Sequence, residues 1–425
     1  MLSAPKFCRC PSGDHTAQYV AFFIRPLPIR ARIRRIKDNS AQENTGPGIG
    51  AGVDTLKELI FHIGTPKTGS SALQVFLAKN RKNLLKQGAD YLPIGEIGLG
   101  VAGKVSSGNG AFLARSILPA GSSARIEDGR RHIDAFFDAV NASKADIGIV
   151  SSELLVGADR GVMSDIIARL GEMSVIPRSF YFIRSQVQVL ASGYIQLVKR
   201  HGCTELPADY IAREYKRRKS LKHYSYYLIQ CELFGQPHVI CRTYEAAMEA
   251  SGGLFGTMLE ALSIDSDDLN FETGDVNTSI STRDVCIMLL LNRFHPRMKF
   301  SDMVIDNAVQ FGSASSGQVH NFLPQELVEE IDQYFANENA RMATECFHRE
   351  ELFPPHPSSS EHEHISVNSL SASDLIAFFG GLLVRYDERL AALESKSAKG
   401  AAPPGGEAAT DVAGVIVSCE EGQSP

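Results

Sequence analysis

The chain has 425 residues, 44% hydrophobic and 22% charged, with a formal net charge of −6; that is enough apolar material for a large core and, by length, two or three domains. The mild acidity excludes a global pull toward nucleic acid or anionic membranes, so any anion site must be built locally. No apolar run reaches bilayer length, and the eight cysteines (8, 10, 203, 231, 241, 286, 346 and 419) contain no C-x-x-C pair, which favours a reducing, cytoplasmic setting.

Residues 1–54 read as a flexible basic leader: Arg25, Arg30, Arg32, Arg34, Arg35 and Lys37 precede the turn-rich TGPGIGAG. A solvated tail and an organelle-targeting peptide both suit that composition. Cys8 and Cys10 have no second ligand pair nearby and read as tail thiols. From Leu56 the texture changes. ELIFHIG is a short apolar run ending in glycine, the pattern of a buried parallel strand before a tight turn. In SSALQVFLAKNRKNLLKQG, Leu73, Phe76, Leu77, Leu84 and Leu85 recur at helical offsets, and Gly88 supplies a stop.

Three further strands are predicted at ADIGIVSSE (145–153), SFYFIR (179–184) and HVICRTYE (238–245), alternating with helical stretches. That alternation predicts an α/β domain over 55–353, a parallel sheet covered on both faces with ligands at the carboxyl ends of its strands. Beyond Asn277 the pattern is helical: STRDVCIMLLLNRF opens on a Ser/Thr cap, and Leu327, Ile331, Tyr334 and Phe335 form one stripe. A helical extension over 354–395 and a disordered Ala/Gly/Pro-rich tail over 396–425 complete the chain.

The stretch GTPKTGSS, Gly64 to Ser71, spaces two glycines like a nucleotide-triphosphate loop, G-x-x-x-x-G-K-[ST], but its lysine, Lys67, lies inside the loop. Between strand and helix such a loop gathers backbone N–H groups at a helix N-terminus, where the dipole favours a phosphate. Gly64 and Gly69 let the main chain fold closely, Ser70 and Ser71 add hydroxyls, and Lys67 adds a point charge. The displaced lysine, and the lack of an apolar strand ending in a metal-binding aspartate, weigh against a magnesium-dependent NTPase.

GTPKTGSSALQ, preceded by IFHI, resembles the 5′-phosphosulfate loop of PAPS-dependent sulfotransferases of the bacterial carbohydrate type, close to T-x-P-K-x-G-[ST]-[ST]. The resemblance implies a P-loop three-layer sandwich in which Thr65, Pro66, Lys67, Thr68, Gly69, Ser70 and Ser71 hold the 5′-phosphosulfate of 3′-phosphoadenosine 5′-phosphosulfate (PAPS). Ser70-Ser71 stands where threonine is common, which keeps the hydroxyls. The family reads the 3′-phosphate with a strand-end arginine and a serine eight residues later, a spacing that Arg184 and Ser192 fit. It takes the acceptor's proton with a histidine or glutamate; Glu153 in IVSSELL is the candidate base, or else an acid serving a helix N-terminus. VICRTYE, DVNTSIS and NENARMATECFHREELF extend the resemblance over 57–353, with Arg242 and Tyr244 at the nucleotide end and Asn277 and Ser279 in a closing segment.

Sulfuryl transfer to a hydroxyl or amine acceptor follows from the resemblance, with a carbohydrate or glycolipid preferred, no metal required, no nucleic-acid partner and no assigned oligomeric state. The acceptor site would be assembled from 94–125 and 200–225, where Lys216, Arg217, Arg218, Lys219 and Lys222 form either a solvated helix face or a surface for an acidic glycan. His62 reads as a packed core histidine and His201 as a helix-end cation; His356, His362 and His364 lack a preformed metal scaffold. Two rival readings remain: a deviant P-loop kinase or NTPase with Lys67 on the γ-phosphate, and a catalytically silent protein that binds the bisphosphate product, PAP.

Overall fold

This computed structural model describes residues 56–95, 97–103, 107–272, 281–294, 300–311, 323–356 and 366–400. The basic leader, Cys8, Cys10, Asn277, Ser279, His362, His364 and the chain beyond Gly400 lie outside them. The chain divides into two compact units, Met1–Leu370 and Ser371–Pro425.

In the first unit five strands pair in parallel: β1 Glu58–Ile63, β2 Ala89–Tyr91, β3 Ile147–Ser152, β4 Ile176–Ile183 and β5 Val239–Thr243, in the order β2-β3-β1-β4-β5. Sequence patterning finds four of them. β2 is three residues long, too short to show a period. The helices used below are α1 Ser70–Lys86, α2 Gly129–Ala142, α3 Arg160–Glu172, α4 Gln186–His201, α5 His223–Phe234, α6 Gly253–Ala261, α7 Thr282–Phe294, α8 Ser301–Phe311, α9 Gln325–Arg341 and, in the second unit, α10 Ala372–Gly400.

Alternation within the buried strands sorts the core into two layers. Leu59, Phe61 and Ile63 of β1 and Tyr181 and Ile183 of β4 pack with Phe136 of α2, Met163 and Leu170 of α3, and Tyr224 and Phe234 of α5. Ile60, Phe180 and Phe182 face the other way, onto Leu73, Phe76 and Leu77 of α1 and Met258 and Leu259 of α6. Each large side chain removed from water in these layers contributes about 1.5–3 kcal/mol. The result is the expected helix-sheet-helix sandwich.

Two stripe assignments need correction. Leu85 is 39% exposed, because α1 buries the line through Leu73, Phe76, Leu77, Asn80 and Leu84 and the next residue turns outward. Tyr334 is likewise exposed, while Leu327, Ile331 and Phe335 of α9 are buried. The Ser/Thr start of α7 is a reciprocal cap: Ser281 N–H donates to Asp284 Oδ2 at 3.3 Å and Asp284 N–H to Ser281 Oγ at 3.1 Å.

All strand carboxyl ends lie along one edge. The chain leaves β1 for β2 on one side and leaves β4 for β5 on the other, so a crevice opens between the ends of β1 and β4. No helix among the described residues is long and apolar enough to cross a membrane.

Candidate functional site

The Gly64–Gly69 loop leaves β1 at this crevice and delivers the chain into α1. Gly64 N–H donates to Ser152 O at 3.1 Å and Thr68 Oγ1 to Thr65 O at 2.8 Å, while Thr65 Oγ1 donates to the carbonyl of Phe182 on β4. Lys67 and Gly69 both take positive φ, 64° and 77°; a side chain at such a backbone angle is uncommon and often marks a functional constraint. The glycines make room for neighbouring protein atoms. A Cβ at Gly69 would lie 2.4 Å from Leu254 Cδ1, and one at Gly64 would lie 2.8 Å from Ser70 Oγ and 2.9 Å from Glu153 Cγ.

α1 starts at Ser70 with no side-chain cap and no acid in its first turn. Its first N–H groups and the dipole are therefore left to an anion. Ser70 is 3% exposed and its hydroxyl has no hydrogen-bond partner, although buried hydroxyls ordinarily have one. An orphaned donor beside an uncapped helix start fits a phosphate or sulfate oxygen. Ser71 follows it in the first turn, half-buried, and Pro66 lies between Thr65 and Lys67 in the loop.

Arg184 immediately follows β4 and reaches back to the loop. Its Nη1 donates to Lys67 O at 2.8 Å, and its Nε and Nη2 donate to Gln188 Oε1 at 3.0 and 2.7 Å. The guanidinium lies 4.4 Å above the ring of Tyr244, just beyond β5. Its own carbonyl accepts from His223 Nε2 at 2.9 Å; burial brings His223 down to about 4, so the ring is neutral and donates from that nitrogen. Arg184 is itself shifted down by burial, against Tyr244 and Glu245.

One stripe of α4 then links the two cations. Gln188 holds Arg184, and Gln196 Oε1 accepts from Lys67 Nζ. Ser192 is four residues from each, so helical spacing sets it between them on the same face. Sequence spacing singles out the serine but not the two glutamines, for which the four-residue interval is the signal.

On the other flank, Glu153 follows β3 as the first residue of a short 3₁₀ turn, Glu153–Gly157. The cap of that turn is Ser152, whose hydroxyl accepts Leu154 N–H at 3.2 Å, so Glu153 is left facing Gly64 and Ser70. Glu153 keeps one side open to solvent, yet lost hydration in its recess raises its carboxyl above the ordinary range, opposed by Lys67. Lys67 is brought down to about 8, chiefly by burial; Glu153 counters this, while Lys199, Arg184 and Arg218 add to it. The crevice thus gathers several cations around one carboxylate.

Within the basic run, Lys216 pairs with Glu330 at 3.2 Å and Arg217 with Glu214 at 3.8 Å, whereas Arg218 is half-buried, bonded to Tyr210 OH at 3.0 Å, and approaches Gly193 of α4. Arg242 is exposed, with its guanidinium on Cys241 O. His62 is buried, bonded through Nδ1 to Ser151 Oγ at 2.7 Å and brought down by burial to about 3: a neutral core histidine. His201 is exposed at the end of α4. His356 Nε2 lies 3.2 Å from Ser185 Oγ and 3.6 Å from Asp332. Glu245, missed by the sequence reading, accepts Ser185 N–H at 2.9 Å, and its second carboxyl oxygen is buried with no hydrogen-bond partner. Among the described residues no three His, Cys, Asp or Glu side chains are grouped to hold a metal ion.

No protein-family model matches this chain, and no curated protein matches it. Two solved structures are similar in fold. One is a sulfotransferase from Alicyclobacillus acidocaldarius, 14% identical, with a TM-score of 0.42 over 69% of this chain and 97% of that one. The other is retinol dehydratase in complex with androsterone and the inactive cofactor PAP, 11% identical, with a TM-score of 0.32 over 67% of this chain and 81% of that one.

Proposed function

We propose that the protein transfers a sulfuryl group from PAPS to a hydroxyl or amine acceptor. The observation that carries this reading is the 2.8 Å hydrogen bond from Arg184 Nη1 to Lys67 O, which joins two motifs 117 positions apart at one crevice. The orphaned Ser70 hydroxyl at an uncapped helix start supports an anionic ligand there. Thr65 to Ser71 would hold the 5′-phosphosulfate, and Arg184 with Ser192 the 3′-phosphate; the bound donor supplies the activated sulfuryl group.

In this reading the chain's own residues do three things. The loop amides and Ser70 fix the anion, which converts encounter into a positioned reaction. Lys67, protonated below about 8, offsets negative charge on the leaving oxygen. Glu153 Oε takes the proton of the acceptor's hydroxyl or amine, and its raised affinity for a proton makes it a better base than a solvated glutamate. The reading calls on no metal ion, and it keeps a carbohydrate or glycolipid hydroxyl as the acceptor.

Calorimetric titration of adenosine 3′,5′-bisphosphate, and of ATP with magnesium, into the wild type and Arg184→Ala tests it. The bisphosphate should bind more tightly than ATP, and the substitution should weaken it by about 1.5–3 kcal/mol, roughly 10- to 150-fold, and by more than it weakens ATP. Tighter ATP binding indifferent to the arginine would reject the reading and favour the kinase-type alternative. Bisphosphate binding with no consumption of PAPS across acceptor mixtures would favour the silent binding protein.

A further inference from the structure

The second unit carries a helix that the proposed chemistry does not use. α10 runs Ala372–Gly400, past residue 396 where composition predicts disorder. Its start is fixed by a reciprocal cap: Ser371 N–H donates to Asp374 Oδ2 at 2.9 Å, and Asp374 N–H to Ser371 Oγ at 3.1 Å. Along it, Ile376, Phe379, Leu383, Tyr386, Leu390 and Leu393 recur at steps of three and four in strict alternation. That is a seven-residue repeat with Ile376, Leu383 and Leu390 at a and Phe379, Tyr386 and Leu393 at d. All six side chains are exposed, Ile376 at 72% and Leu383 at 70%. A line of six large apolar side chains along one helix face is a surface built to be covered.

The flanking charges select what covers it. In this repeat Asp387 and Glu394 fall at e, and Arg389 falls at g. In a parallel pair of identical helices each g side chain faces the e position of the next repeat on the other helix, so Arg389 of each copy meets Glu394 of the other, twice by symmetry. An antiparallel pair sets g against g and e against e, which opposes like charges. The helix also lacks the Lys/Arg-rich polar face that selects an anionic lipid surface: Asp374, Asp387, Glu388 and Glu394 balance Arg385, Arg389, Lys396 and Lys399. Gly380 and Gly381 sit within it, each costing about 1 kcal/mol relative to alanine in a helix interior. A helix so weakened gains most from packing on a partner.

We propose that α10 pairs with α10 of a second copy of this chain as a parallel, in-register two-stranded coiled coil, so that the protein is a homodimer through its second unit. Sedimentation equilibrium of the full-length chain at micromolar concentration should give twice the 46.3 kDa of one chain. Leu383→Glu with Leu390→Glu should give the monomer, raising the dimer dissociation constant at least about 100-fold, while thermal unfolding of the first unit and its binding of adenosine 3′,5′-bisphosphate stay at wild-type values. Arg389→Glu alone should weaken the dimer about tenfold, and adding Glu394→Arg should restore it. A wild-type chain that remains monomeric, a dimer that survives the double leucine substitution, or a dimer strengthened by Arg389→Glu would each overturn the proposal.

Discussion

On the β4 side of the crevice all three guanidinium nitrogens of Arg184 already have acceptors, and the side chain is stacked on Tyr244. Across from it, in the β1 loop and just after β3, the Ser70 hydroxyl has none, burial disfavours the charge on Lys67, and Glu153, though exposed, has its carboxyl raised by lost hydration. The first flank is built in advance, as suits an anchor that must keep its geometry. The second is left electrostatically incomplete, and an anionic ligand with a protic acceptor would complete it. Groups whose proton affinities are displaced by burial and by each other are those that chemistry uses.

Substitutions on the incomplete flank should damage turnover, and those on the anchor flank should damage affinity. The largest effect is expected for Glu153→Gln, an isosteric change that removes the proposed base: sulfuryl transfer to a saccharide acceptor, followed as release of adenosine 3′,5′-bisphosphate, should fall about 10²–10⁴-fold with little change in bisphosphate affinity. Lys67→Met should follow, lowering kcat by about 10²–10³-fold. Equal losses in affinity and turnover for these two variants would erase the distinction between the flanks.

A pH series sharpens it without mutation. Lys67 releases its proton near 8 in the folded chain, against 10.5 for the ordinary side chain. The contribution of Lys67 to kcat should therefore decline as pH rises through about 8. Stability should respond in the opposite sense. Below about 8 both folded and unfolded chains hold the proton; between there and 10.5 only the unfolded chain does, so the Lys67 contribution to folding stability rises with pH across that window. Turnover and unfolding by denaturant, measured on the same samples, separate the two trends. The smallest effect belongs to the α4 stripe. Gln196→Leu removes a single hydrogen bond to Lys67 and should change kcat by about fivefold, the equivalent of roughly 1 kcal/mol.

The parts of this site that were legible in the sequence are those where backbone geometry dictates composition. Gly64 and Gly69 punctuate a contiguous loop between a strand and a helix, and Arg184 marks a strand end, so position alone announces them. Gln188, Gln196 and Glu245 were invisible because a polar residue on a helix or at a strand exit looks the same whether it faces water or a charged neighbour. Only the folded arrangement separates the two. Leu85 and Tyr334 failed in the complementary way: each sits one step beyond the buried line of its helix, where an apolar residue satisfies the period and still meets solvent. β2 escaped because three residues carry no measurable alternation.

Two cross-links described above have a consequence for how the chain can vary. Thr65 bonds the carbonyl of Phe182, and Arg184 bonds the carbonyl of Lys67. The first loop is thereby sewn to the end of β4 in both directions, side chain to main chain each way. A threonine lost from the loop removes one of these links, and an arginine lost after β4 removes the other. The two motifs are therefore one mechanical hinge-plate, and a lineage that altered either would be under pressure to rebuild the other.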